Sequence, residues 1–155
     1  MARPEHLIAL GFGSGLAPVA PGTFGSLAGW ASFELASPWL ARAPALAVLV
    51  VAFVVGIWAC GRTGRDLGVP DHGAMVWDEI VAIWLVLLFT APGLVWHSGA
   101  FLLFRLFDIT KPAPIGWLDR HIKGGLGVMA DDLLAALYAL ALLSLAELLW
   151  GRWHG

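Results

Sequence analysis

The chain has 155 residues, of which 59% are apolar and only 13% charged, and its mean hydropathy is +0.81. A soluble domain that small would lack the polar side chains to cover its own core. Nine Lys and Arg against eleven Asp and Glu leave a formal charge of -2, so there is no basic field to hold nucleic acid. The single cysteine, Cys60, excludes an intrachain disulfide and any multi-cysteine metal site. Its apolar surroundings read as a small buried hydrophobe.

From the N-terminus, Met1 to Leu10 carries Arg3 as its only Lys or Arg and no cleavage signature follows, so no signal peptide is expected. Gly22 to Ala41 is uncharged except for Glu34. It predicts a helix in which that carboxylate must be protonated, paired or turned inward. Pro44 to Cys60 and Ile80 to Phe104 carry no charge, and Leu133 to Ala146 is almost all Leu and Ala. These three runs are the membrane candidates. Trp39, Trp77, Trp96, Trp150 and Trp153 stand at their edges as an aromatic belt would. Trp30, Trp58 and Trp84 lie within the segments and read as core.

Ala91-Pro92-Gly93 interrupts the run from Ile80 to Phe104 with a turn signal. A single crossing would leave Arg3, Arg62, Arg65 and Arg152 on one side and Arg42, Arg105, Lys111, Arg120 and Lys123 on the other, against the positive-inside expectation. A hairpin gathers all but Arg42 and Arg152 on one side, and is the reading adopted. Its arms, Glu79 to Thr90 and Leu94 to Phe107, are about 18 and 21 Å long at ~1.5 Å per residue, short of a hydrocarbon core of roughly 30 Å. The hairpin is therefore either shallow or buried among longer helices. Gly61 to Trp77 and Asp108 to Ala130 read as polar loops too short to be domains. The expected architecture is all-α: one domain over residues 1–155, a polytopic membrane bundle with polar loops and helix ends gathered on the cytoplasmic face.

That face collects Asp78, Glu79, Asp108, Asp119, Asp131 and Asp132, six of the eleven acids. Hard oxygen donors suit Mg²⁺, which takes one or two carboxylates and binds substrate phosphate directly. Helix N-termini would explain acids at Asp78-Glu79 and Asp131-Asp132, but not Asp108 at the end of the second arm, where the dipole disfavours an anion. Arg105, Lys111 and Arg120 stand in the same region and fit phosphate oxygens. The glycine- and hydroxyl-rich stretch Gly11 to Ser26 offers Ser14, Thr23 and Ser26, and backbone N–H groups at a helix start can receive phosphate. Neither a dinucleotide fingerprint nor a Walker A motif is present. His72 lies six residues before Asp78 and is a candidate for proton transfer. His121 reads as a solvated loop residue, and no serine elbow or partnered cysteine offers a nucleophile.

At GFGSGLAPVAPGTFGSLAG from Gly11, DHGAMVWDEIV from Asp71, FRLFDITKPAPI from Phe104 and DRHIKGGLGVMADD from Asp119, the chain resembles the phosphatidylglycerophosphatase A family of bacterial inner-membrane lipid phosphatases. The resemblance implies Mg²⁺-dependent hydrolysis of phosphatidylglycerophosphate to phosphatidylglycerol and inorganic phosphate, facing the cytoplasm. It makes Asp78, Glu79, Asp108, Asp131 and Asp132 the candidate metal ligands or base, and Arg105, Lys111 and Arg120 the phosphate binders. Asp119 is set apart, because an Asp119-Arg120 pair can be a structural salt bridge. Another membrane phosphotransfer enzyme is the alternative, although the Asp-Gly-x-x-Ala-Arg core of the CDP-alcohol phosphotransferases is absent. An ion or proton carrier would place its acids deep within helices, where only Glu34 and Glu147 fall.

Overall fold

The computed structural model describes residues 3–154, with side chains as far as residue 151. Arg152 and Trp153, counted above for charge and for the belt, have side chains outside the described residues. The described chain is helical throughout, with no strand: α1 (Pro4–Ala9), α2 (Pro21–Ala36), α3 (Arg42–Leu67), α4 (Trp77–Phe89), α5 (Leu94–Thr110), α6 (Ile115–His121) and α7 (Gly124–His154). A bent helical turn over Gly11–Leu16 and a short one over Ser37–Trp39 flank α2.

Pro21 opens α2, and the helix stops at Ala36 rather than at Ala41, because Pro38 has no N–H to continue the hydrogen-bond ladder and the chain tightens into the turn Ser37–Trp39. The polar loop expected over Gly61 to Trp77 is in fact helical as far as Leu67. α3 then closes on Gly68 at φ 69, where Gly68 N–H and Val69 N–H return to the carbonyls of Arg65 and Gly64. The second expected loop, Asp108 to Ala130, likewise contains the end of α5, all of α6 and the start of α7. Asp131 and Asp132 are consequently not at a helix N-terminus: α7 begins seven residues earlier, since Val128 and Met129 are buried and draw the glycine-rich segment into the helix.

The hairpin is present, broken between Phe89 and Leu94 with Gly93 at φ 123. Its first arm is the centre of the molecule. Ile83 and Val86 of α4 are fully buried, packed with Phe33, Phe104 and Ala139 from α2, α5 and α7. On its other side Val81 joins Leu49, Cys60 and Met129 from α3 and α7. The short arms are thus buried among longer helices. Around them, α3 and α7 are long and apolar enough to cross a membrane, about 39 and 46 Å at ~1.5 Å per residue. Their outward faces are apolar, with Val50, Val51, Val54 and Trp58 exposed on one and Leu142, Leu145, Leu148 and Trp150 on the other. Trp58 therefore points outward instead of joining the core, while Trp30 and Trp84 pack against it.

The two ends of the bundle differ. At one, the Arg42 guanidinium lies 5.5 Å over the Phe89 ring, and the Ala91 N–H donates to Glu147 Oε1 at 2.7 Å. Nearby Glu34 accepts from Trp30 Nε1 at 2.9 Å and meets His97 Nδ1 at 2.6 Å, so of the three outcomes open to it the carboxylate is paired. At the other end α4 starts well below its neighbours. Trp77 Nε1 donates to the Ala52 carbonyl at 2.9 Å, ten residues into α3, which runs on for fifteen more. Anything at the head of α4 is therefore recessed beneath the ends of α3 and α7. The close packing there depends on Gly125, where a Cβ would collide with the Ile57 carbonyl.

Candidate active site

Asp78 and Glu79 occupy the first turn of α4, and Asp132 reaches them from the third turn of α7. One carboxylate oxygen from each lies within 4.8 Å of the others. Asp78 and Asp132 are buried and the Glu79 side chain is 12% exposed, so water does little to separate the charges. Asp78 Oδ1, Glu79 Oε2, Asp131 Oδ1 and Asp132 Oδ2 have no hydrogen-bond partner, and neither does Arg105 Nε. Buried oxygens left open in this number are unusual in a structural network and fit a ligand that supplies positive charge.

One cation borders the trio and a second stands at the adjoining Asp131. Arg105 Nη1, on α5, stands 3.6 Å from Glu79 Oε1 and 2.5 Å from Asp108 Oδ2, so the acid at the dipole-disfavoured end of α5 is held by its own helix neighbour. Lys111 follows α5 in a left-handed conformation and lies 2.5 Å from Asp131 Oδ2 and 3.1 Å from Asp119 Oδ1. Burial works against its ammonium, but the bonds to Asp131 and Asp119 outweigh it and hold the lysine above its ordinary pKa. Six carboxylates thus stand around two cations. α2 closes the site with backbone alone: a Cβ at Gly22 would collide with Glu79 Oε1 and press on the Arg105 guanidinium.

The other predicted residues fall around this centre without joining it. Asp119 pairs with Lys111, not with Arg120, which is exposed and has no acidic partner among the described residues. His72 is exposed, and its Nδ1 accepts the Ala74 N–H at 3.2 Å within its own loop. His121 stacks on Trp117 at 4.4 Å. Ser14 Oγ donates to Gly11 O, and Ser26, fully buried, donates to Gly22 O, which gives Ser26 a packing role. Thr23 is half-buried in the first turn of α2, beside Gly22.

Gly22, Asp71 and Lys123 also border the site, and no motif in the sequence singles them out as candidates. Asp71 and Lys123 line, with Asp119, a cavity of about 340 Å³ that borders Gly124 and Val128 of α7. Asp71 opens the segment that contains His72 and Asp78.

An all-helical chain with apolar outer helices and an acid-and-cation site recessed at one end defines a class of protein equipped for phosphate chemistry beside a lipid phase. Comparison with known proteins gives that class its family. The model of the phosphatidylglycerophosphatase A family matches residues 7–147, and the chain belongs to this family of phosphatases. The chain is 40% identical over 146 residues to a phosphatidylglycerophosphatase A of Escherichia coli, covering 92% of this chain and 83% of that one. It is 45% identical over 141 residues to the phosphatidylglycerophosphatase A of Haemophilus influenzae, covering 90% and 86%. A Bacteroides thetaiotaomicron protein, provisionally named a phosphatidylinositol-3-phosphatase, is 40% identical over 157 residues, covering 95% and 98%. No solved structure matches the chain.

Proposed function

We propose that this phosphatase hydrolyses phosphatidylglycerophosphate to phosphatidylglycerol and inorganic phosphate, requires Mg²⁺, and works from the cytoplasmic side of a bacterial inner membrane as a polytopic helical bundle. The observation that carries the reading is the trio Asp78, Glu79 and Asp132, whose partnerless oxygens converge beside Arg105, with Lys111 at the adjoining Asp131. The names of the two phosphatidylglycerophosphatase relatives supply the substrate. The fold supplies the orientation argument: Arg62, Arg65, Arg105, Lys111, Arg120 and Lys123 belong to the elements around the acid end, and Arg42 to the opposite end.

The donor set fits the metal, since carboxylate oxygens alone are offered and several are unsatisfied. Asp78, Glu79 and Asp132 would hold it, and Mg²⁺ when bound neutralises the phosphate oxygens and orients them for attack. The remaining work falls to side chains. Arg105, with its Nε free and its Nη1 held between Glu79 and Asp108, offers a fixed N–H donor to the terminal phosphate. Lys111 adds a second positive charge next to Asp131. Asp131 Oδ2 is engaged by Lys111 while Oδ1 is open, which suits Oδ1 to take the proton from an attacking water. Water adds at phosphorus as Asp131 takes its proton, the P–O bond to glycerol breaks, and the glycerol oxygen takes up a proton from solvent while Asp131 returns its own there.

Phosphate release from detergent-solubilised protein given phosphatidylglycerophosphate tests this reading, with Mg²⁺, with chelator, and for Asp132→Asn. Metal-dependent release that the folded variant loses is the expected result. Release that is indifferent to chelator overturns the metal reading, and a preference for phosphatidylinositol 3-phosphate overturns the substrate.

A further inference from the structure

Asp66, near the end of α3, is shared by Arg3 at 2.7 Å, His6 at 3.2 Å and Arg62 at 3.8 Å. Arg65, one residue earlier, has no acidic partner among the described residues. It lines a cavity of about 310 Å³ whose other walls are Lys123, Pro70 and the glycines Gly61, Gly64, Gly68 and Gly124. No carboxylate borders this cavity. Lys123 donates once, to the Asp119 carbonyl at 2.8 Å, and an ammonium has three hydrogens to give. Two cations, open donors and walls that are otherwise mostly glycine make a space for an anion approached on several sides.

The position of the cavity ties that anion to the acid site. Pro70, Lys123 and Gly124 also line the neighbouring cavity of Asp71 and Asp119, and Asp119 is joined to Asp131 of the acid site through Lys111. Gly61 faces Gly125, seven residues before Asp132 and so about 10 Å further toward the open end at ~1.5 Å per residue. The acid trio is recessed and the cationic cavity stands above it, with a polar path between.

We infer that Arg65 and Lys123 form a second phosphate subsite, distinct from the recessed acid site. This rests on the lipid-phosphatase reading and extends it. Phosphatidylglycerophosphate carries two phosphates: a terminal one that is removed and a diester that is carried through unchanged. A diester needs cations and hydrogen bonds but no metal, which is what this cavity offers. The inorganic phosphate leaving the acid site presents the same tetrahedral anion. The subsite takes one or the other.

The test compares native protein with Arg65→Gln, Lys123→Gln and the conservative Arg65→Lys in detergent micelles. Phosphatidylglycerophosphate and phosphatidic acid, which has no diester, are the substrates, and inorganic phosphate is the inhibitor. If the diester binds here, KM for phosphatidylglycerophosphate rises about tenfold in the Gln variants, the loss of a charged hydrogen bond. kcat and both constants for phosphatidic acid then stay native, and Arg65→Lys recovers most of the loss. If released phosphate binds here, its inhibition constant rises about tenfold with both KM values unchanged. Folded variants with native constants throughout, or with equal losses on both lipids, overturn the subsite. Should native protein hydrolyse neither lipid, the parent reading fails. The subsite is then judged separately by the shift in Tm that phosphatidylglycerol micelles or inorganic phosphate give: a shift in native protein that Arg65→Gln lacks supports it, and equal shifts or none overturn it.

Discussion

Lys111 Nζ lies 2.5 Å from Asp131 Oδ2, and it holds that contact from a left-handed backbone at φ 41. A lysine there costs roughly 1 kcal/mol relative to the right-handed region, so the ammonium is placed against local preference. Lys111→Gly relieves the backbone and removes the charge, whereas Lys111→Met removes the charge alone. Both are expected to lose phosphatase activity about a hundredfold or more, on the scale of other electrostatic contributions to a transition state. In thermal melts the glycine variant should sit above the methionine variant by the equivalent of about 1 kcal/mol. Activity retained in Lys111→Gly would show that the ammonium serves the fold and not the chemistry.

The carboxylate trio sets up an opposition between stability and metal binding. Like charges held within 4.8 Å in a buried site repel one another until a cation arrives. Asp132→Asn removes one of them, so in chelator the variant should melt above the native protein. Adding Mg²⁺ should reverse the order, since metal at about a hundred times its dissociation constant stabilises the native fold by about 2.7 kcal/mol and the variant hardly at all. Differential scanning calorimetry in both conditions checks the crossing. Native and variant curves that respond equally to Mg²⁺ would remove the trio as a metal site.

Gly22 carries a steric prediction. Its missing Cβ leaves room for Glu79 Oε1 and the Arg105 guanidinium, so Gly22→Ala must push one of them away. About 1–3 kcal/mol of stability is expected to go with it. Activity should fall further than stability predicts if, as proposed, the displaced groups hold the metal and the phosphate. Gly73→Ala is the control: nothing lies within 4 Å of a Cβ there, and melting temperature and kcat should both stay native.

Much of this arrangement is legible in the sequence because it depends on local chemistry. The Ala91-Pro92-Gly93 signal breaks the hairpin where the structure does, and the acids with Arg105 and Lys111 come together at one end. The lengths of α3 and α7 are not legible in a hydropathy window. Gly61, Arg62, Gly64 and Arg65 continue the hydrogen-bond ladder of α3 although the apolar run has ended at Cys60, because the ladder is blind to polarity. That extension, with the matching one before Asp131, is what recesses the site. Pairings across long separations are equally hidden: Glu34 with His97, 63 residues apart, depends on how α2 and α5 pack. Asp119 turns to Lys111 instead of its neighbour Arg120 because α6 presents it there.

The orientation in the membrane can be read by cysteine labelling, helped by the burial of the natural thiol. Cys60 is fully buried, so the native protein should not react with an impermeant maleimide from either side. Gly73→Cys and Thr110→Cys place exposed thiols on the loop before α4 and at the end of α5, both at the acid end. Trp39→Cys and Pro92→Cys place exposed thiols at the turns of the opposite end. The first pair should label in inside-out vesicles and the second in intact spheroplasts, each pair reacting as one. A single crossing by residues 80–104 would separate Gly73→Cys from Thr110→Cys. That outcome is incompatible with Arg105 beside Glu79, because those two side chains, 3.6 Å apart, require both ends of the hairpin on the same side.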